Sequence, residues 1–329
     1  MKTAILLCVV ALHAATPEWT ILNSGVTQRL RGVSAVNERV AWASGAGGVI
    51  LRTNDGGTTW RRLTVAGAET LDFRDVDAVD ERTAYVLSIG PGESSRIYKT
   101  KDAGDTWQLQ FKNTDPKAFY DAMTFSTPSR GIAFSDSVDG KFVLLLTSDG
   151  GSTWKRQEVT GALPGEGAFA ASGTNIAVQG KKDVWIGTTA GRVLRSSDGG
   201  SSWWISTTGL AASPSAGIFS VAFRDKLHGI VVGGDYKAEG VAGDNAAITA
   251  DGGKTWTLVR GLGGFRSVAT WLNNNLLAAV GPSGTDISRD AGKTWTPVPG
   301  PGFHTFSAPR RGRIGFGAGE RGLLGRLRW

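Results

Sequence analysis

The chain has 329 residues, 40% of them hydrophobic, with 47 glycines, 11 prolines and a single cysteine. Its 36 Lys and Arg against 29 Asp and Glu give a formal charge of +7, spread along the sequence except where Arg310, Arg311, Arg313, Arg321, Arg326 and Arg328 gather near the end. This composition excludes a disordered chain and a disulfide-stapled scaffold. With no basic patch interleaved with aromatics it gives no footing for nucleic acid, and the charge favours an anionic partner instead.

Residues 1–15 read as a signal peptide. Lys2 supplies the basic start, residues 4–12 a short apolar core, and Ala14 or Ala15 the small residue at the cleavage site. Such a run is too short to span a membrane. Cys8 lies inside it, so export to the periplasm or beyond leaves a mature chain, 16–329, without disulfide or thiol chemistry.

Trp19-Thr20-Ile21-Leu22 has the pattern of a strand parted from its sheet. Residues 30–36, 40–45 and 48–53 then form three short segments of alternating apolar residues with glycines at the turns. The third runs into Thr53-Asn54-Asp55-Gly56-Gly57-Thr58-Thr59-Trp60, and a fourth strand starts at the Trp. The pattern Ser/Thr-x-Asp-x-Gly-x-Thr/Ser-Trp returns five times, at Asp102 with Trp107, Asp149 with Trp154, Asp198 with Trp203, Asp251 with Trp256 and Asp290 with Trp295. Spacings of this kind, about 40–50 residues, are those of a four-stranded propeller blade. Residues 319–327 repeat the third-strand pattern once more and lack the turn motif; Trp19 to Leu22 would complete that last unit. The expected fold is all-β, one domain over 16–329 forming a seven-bladed β-propeller of four-stranded antiparallel blades. Its N-terminal strand closes the last blade and removes the open sheet edges.

Each position of the repeated turn has a structural role. The Asp accepts hydrogen bonds from N–H groups just ahead of it, the Gly two positions on takes a positive φ, and the hydroxyls bond back to the turn. The Trp buries a large ring at the start of the next strand. The six aspartates are therefore expected to be staples rather than catalysts or metal ligands. In such a blade the turn shares a face with the connection between strands one and two. The long connections at 90–95, 109–118, 136–141, 159–168 and 235–245 fall on the opposite face, where a regular scaffold makes a binding site.

Arg31, Arg74 and Arg266 occupy one position in three first strands, Leu-Arg-Gly-Val, Phe-Arg-Asp-Val and Phe-Arg-Ser-Val. First strands line the channel of a propeller, so these guanidinium groups are placed to hold a carboxylate or phosphate, or else to pair with neighbours such as Asp75. Tyr120 and Asp235 stand in segments that break the repeat and join this binding set. The same segments offer Glu166 with Asp121 or Asp136 as an acid–base pair for glycoside hydrolysis, and Tyr236 with Glu239 as a Tyr/Glu pair. Solvated or turn-capping roles are the alternative for all of them. His228 and His304 fall in different blades without ligand-like spacing, so no metal is expected. No phosphate-binding or dinucleotide fingerprint follows a strand and opens a helix, so no cofactor is expected either.

The repeated octapeptide resembles the Asp box of the BNR-repeat β-propellers. The unit made of residues 30–33, 41–45 and 48–60 is similar to the photosystem II stability/assembly-factor-like propellers and to exported bacterial BNR-repeat proteins. In the photosynthetic members arginines form a protein-binding patch, a part that the resemblance gives to Arg31, Arg74 and Arg266. Sialidases share the boxes and use three arginines with a Tyr nucleophile assisted by Glu. Here Leu30-Arg31-Gly32-Val33 replaces their Phe-Arg-Ile-Pro motif, and Tyr85, Tyr98, Tyr120 and Tyr236 match no such nucleophile. The expectation is an exported, monomeric, non-catalytic propeller that binds a protein partner or anionic ligand on the loop face. The alternative is a glycoside hydrolase or other carbohydrate-active enzyme related to the sialidases.

Overall fold

The structure, a computed structural model, describes residues 16–329; the expected signal peptide, with Cys8, lies outside them. Seven four-stranded antiparallel sheets form the blades. Blade 1 runs outward from the inner strand Leu30–Ala35 through Ala41–Gly45 and Ile50–Thr53 to Arg61–Leu63. Blades 2 to 6 repeat this order from the inner strands Phe73–Ala78, Tyr120–Thr127, Ile176–Gln179, Ala216–Phe223 and Val268–Trp271. Blade 7 takes Thr305–Ser307, Ile314–Ala318 and Leu324–Arg328 from the end of the chain and its outer strand, Glu18–Leu22, from the beginning. That outer strand pairs from Glu18 opposite Arg328 to Leu22 opposite Leu324, so the seven blades and the N-terminal closure are as the repeats predicted. Trp19 holds it in place. Its ring centroid lies 4.2 Å from Phe303 and 5.7 Å from Phe306, and its indole N–H donates to Thr285 Oγ1 of blade 6 at 3.2 Å.

Second strands such as Ala41–Gly45 and Ala84–Ser88 are buried at every residue, because each sheet is covered on both faces. The core is accordingly divided among the gaps between neighbouring blades. Trp42 and Ile50 of blade 1 meet Phe73, Val76 and Val86 of blade 2, and Phe316 and Leu324 of blade 7 meet Leu30 and Leu51 of blade 1. The inner strands have a spare edge, and side chains of the preceding blade satisfy it. Ser34 Oγ accepts from the Ala78 N–H at 3.1 Å, Asp77 Oδ2 from Phe125 at 2.6 Å, Ser220 Oγ from Ala269 at 3.0 Å and Ser307 Oγ from Ala35 at 3.0 Å. An amide buried without such a partner costs about 1–3 kcal/mol.

The six repeated turns share one network. In the first, Asp55 Oδ1 accepts from the Thr59 N–H at 2.9 Å and Oδ2 from the Thr59 hydroxyl at 2.6 Å. Thr53 Oγ1 donates to Asp55 Oδ1 at 2.8 Å and accepts from the Gly57 N–H at 2.9 Å. The bond from the hydroxyl four residues on is the main reason that Asp55, Asp149, Asp198 and Asp290 are held down at about 2. One requirement escaped the sequence reading. The residue directly after the Asp also has positive φ, which Gly56 adopts freely and which Ala103 (64°) and Ala291 (62°) adopt under strain. Among the described residues no helix is long and apolar enough to cross a membrane.

Candidate binding cavity at the loop end of the channel

Four inner strands carry a bulge near their start. The ladder slips between Leu30 and Gly32, Phe73 and Asp75, Tyr120 and Ala122, and Ile218 and Ser220. The residues skipped are Arg31, Arg74, Asp121 and Phe219. A bulge takes a residue out of the pairing register and re-aims its side chain, which makes it a common device beside functional sites. The glycine after Arg31 is needed for close approach: a Cβ on Gly32 would lie 2.3 Å from Ser44 Oγ and 3.0 Å from the Val76 nitrogen of the next blade.

Residues 168–174, which lead into blade 4, cross the channel. Arg74 Nη1 donates to the Ala170 carbonyl at 2.9 Å, and Ser172 Oγ donates to the Ser267 carbonyl of blade 6 at 2.9 Å. Thr305 Oγ1 of blade 7 donates to the Ser172 carbonyl at 3.1 Å, and the Thr174 carbonyl accepts from Val221 of blade 5 at 2.9 Å. Gly173, at φ +72°, lies against Asp75 of blade 2. One segment thus ties together four blades and divides the channel. Phe169, Ala170 and Ala171 line a cavity of about 320 Å³ at the loop end. Ser172, Gly173 and Thr174 line a separate space of about 560 Å³ shared with Ser34, Asp77 and Ser307.

The loop-end cavity has two kinds of wall. Arg31, Arg74 and His304 form a polar side, and Phe169, Phe219, Phe265 and Tyr236 an aromatic side; Glu239, Ser267 and Pro282 complete the lining with the alanines. Arg74 pairs with Asp72 at 2.9 Å. Arg29 approaches Asp72 at 3.9 Å and Glu320 at 4.0 Å, and His304 Nε2 sits 2.7 Å from Glu320 Oε1. Both carboxylates are therefore already shared. Arg31 is left over: its buried Nε has no partner, and among the described residues no carboxylate reaches it as a salt bridge. Burial first, then Arg74 and Arg29, bring Arg31 down to about 10, which leaves it charged at neutral pH. Burial and then Arg31 push His304 down to about 4, so it stays neutral there. Across the cavity Phe169 and Phe219 stack with centroids 3.9 Å apart and 5° between planes. Phe265 meets Phe219 edge-on at 4.6 Å, and Tyr236 meets both stacked rings edge-on at 6.2 Å.

Of the candidates read from sequence, the cavity brings together Arg31, Arg74, Tyr236 and Glu239. Arg266 is buried and committed inward: Nε and Nη2 contact Asp286 Oδ2 at 2.8 and 2.6 Å, and Nη1 donates to Ser283 Oγ at 2.8 Å. Tyr120 is core, packed edge-on to Phe111, and Asp235 caps its own turn by accepting from the Lys237 N–H at 2.8 Å. Glu166 is buried in an ion pair with Arg192 and also accepts from the Thr188 hydroxyl and the Leu163 N–H. Asp121 is pushed well above the usual carboxylate range by burial and then by Asp136, and Asp136 rises to about 6 through burial. Asp136 Oδ1 accepts from the Ala168 N–H at 3.2 Å, so Asp136 braces the start of the crossing segment. Sequence reasoning missed Phe169, Phe219, Phe265 and the part taken by His304. Phe219 had a visible signal, since it holds in blade 5 the place that Arg31 holds in blade 1. Among the described residues no group of three or more His, Cys, Asp or Glu is arranged to hold a metal ion.

Residues 17–142 match the family model described as photosynthesis system II assembly factor YCF48. No curated protein matches the chain. A solved structure of YCF48 bound to D1 peptide is 18% identical with a TM-score of 0.69, over 97% of this chain and 99% of that one. YCF48 from Cyanidioschyzon merolae is 17% identical with a TM-score of 0.69, over 94% and 98%. The GH74 xyloglucanase from Xanthomonas campestris is 14% identical with a TM-score of 0.62, over 94% of this chain and 53% of that one. At these identities the solved structures establish the fold. The chain is thus a seven-bladed propeller, similar to YCF48 in sequence over residues 17–142 and in fold over nearly its whole length.

Proposed function

We propose that this chain is an exported, non-catalytic propeller that holds an anionic segment of a partner protein in the cavity at the loop end of its channel. The observation that carries the reading is Arg31, a guanidinium set into the cavity wall by a bulge, with its neighbours' carboxylates already taken. A carboxylate from outside would complete it through charge-assisted hydrogen bonds. That the ligand is a protein rather than a small anion is supported by the likeness to YCF48, which has been solved with a D1 peptide bound. Binding rather than turnover follows from the carboxylates. Glu166 and Asp121 are buried and Asp136 is half-buried, and the bonds of Glu166 to Arg192 and of Asp136 to the Ala168 N–H serve the scaffold. Export rests on the basic start, short apolar core and small residues of 1–15, and the chain acts as a monomer.

The test is affinity capture from native envelope extract with residues 16–329 as bait, beside an Arg31→Gln variant, with retained proteins read by mass spectrometry. A partner held by the first and reduced at least tenfold by the second is the expected result. Equal retention by both baits, or hydrolysis of a glycan panel without any captured protein, would overturn the proposal.

A further inference from the structure

The cavity offers more than a charge, and its chemistry narrows what part of a partner can enter. At about 320 Å³ it lies at the small end of ligand sites, which run from about 300 to 1,000 Å³. A single residue fills such a space; a helix or a hairpin does not enter it. One side is aromatic. Phe219 and Phe265 are 2% and 3% exposed and back the wall, whereas Phe169 is half-buried and Tyr236 is 42% exposed, so these two present ring surface to an occupant. The stacked and edge-on arrangement of the four rings extends naturally to a fifth.

The electrostatics set the number of charges. Asp72 and Glu320 offset Arg74, Arg29 and the approach to His304, which leaves one guanidinium unmatched. Glu239, also in the lining, stands against a second negative group. One carboxylate fits where a phosphate dianion or an acidic run would not.

We propose that the anchor is a single carboxylate next to one apolar, preferably aromatic, side chain of an extended peptide, the carboxylate on Arg31 and the side chain against Phe169 and Tyr236. This rests on the binding role proposed above for the same cavity. Two sources supply that chemistry, a chain's C-terminal residue or an internal Asp or Glu beside an aromatic.

The experiment uses residues 16–329 and isothermal titration calorimetry. The small probes are propionate, 3-phenylpropionate and 3-phenylpropionamide. Three pentapeptides separate the sources: one ending in a free-carboxylate phenylalanine, the same peptide amidated, and one capped at both ends with an internal glutamate–phenylalanine step. Phenylpropionate should bind at least tenfold more tightly than propionate and lose at least tenfold as its amide. Phe169→Ala should abolish the preference for the phenyl group while keeping propionate binding, Phe169→Leu should restore part of it, and Arg31→Gln should abolish both. Tyr236→Ala, at an exposed ring, serves as the second variant should Phe169→Ala fail to fold. Binding of the free but not the amidated peptide identifies a chain terminus, and binding of the capped peptide an internal acid. Equal affinity for propionate and phenylpropionate, or a phenyl preference that survives both ring variants, overturns the anchor. If the anchor falls while Arg31→Gln still blocks partner capture, the binding role stands; if Arg31→Gln changes neither, the role itself is wrong.

Discussion

Replacing Gly173 by alanine probes how the segment across the channel is seated. A Cβ there would lie 2.1 Å from Asp75 Oδ1 and 2.5 Å from its Cγ, at a φ of +72°. The left-handed backbone alone costs a residue with a Cβ about 1–2 kcal/mol. The clash adds to this, because Asp75 has nowhere to swing: it is 4% exposed, and its Oδ2 holds the Met123 N–H at 2.7 Å. Giving up that bond strands a buried amide, a loss of about 1–3 kcal/mol. Gly173→Ala should therefore destabilise by about 2–5 kcal/mol. Urea denaturation of residues 16–329 would measure it alone and in an Asp75→Ala background. In that background the contact is gone and only the backbone contribution, about 1–2 kcal/mol, should remain. An identical cost in both backgrounds would refute the idea that Asp75 positions the segment.

Ala103→Gly and Ala291→Gly should each stabilise by about 0.5–1 kcal/mol, since relief of the left-handed strain slightly exceeds glycine's extra chain entropy; unchanged thermal melts would count against the strain. Glu166→Gln should cost about 1–3 kcal/mol by leaving the half-buried Arg192 without its charged partner. A glycosidase role for Glu166 predicts instead an intact fold without activity, and chemical denaturation separates the two. The turn carboxylates of Asp55, Asp149, Asp198 and Asp290 sit at about 2 in the folded chain, below the ordinary value of 3.8. The folded state thus binds their protons less readily, so their contribution is complete above pH 4 and disappears as pH falls towards 2. His304, at about 4 against 6.5, should add an earlier loss between pH 6.5 and 4 that His304→Gln removes. Urea midpoints across pH 2–7 would show both limbs.

The fold was legible because its determinants are local and repeated. Asp55, Gly57 and Thr59 carry the same bonds in each turn, and Trp19 announced a strand that needed a sheet. Arg31 and Arg74 were legible for the same reason, as one position of a repeat. Arg266 shows the limit of that logic. Its position is equivalent, yet Asp286, twenty residues on, captures it, and no repeat encodes that pairing. The aromatic side was harder still. Phe169 reaches the site from a segment outside any strand, and only the crossing of the channel brings it onto Phe219. Where irregular segments meet, sequence distance says nothing about proximity.

The pairing of Glu18–Leu22 with Leu324–Arg328 also bears on the order of assembly. During synthesis the outer strand of blade 7 emerges first among the strands and its partners last. Blades 1 to 6 are complete in sequence before blade 7, and each can collapse on the one before as it appears. The ring stays notched until Leu324–Arg328 arrives, and closing it has to bring together two strands about 300 residues apart in sequence. Through that interval Trp19 has no Phe303 to pack on, and blade 6 presents an uncovered flank to chaperones and proteases alike.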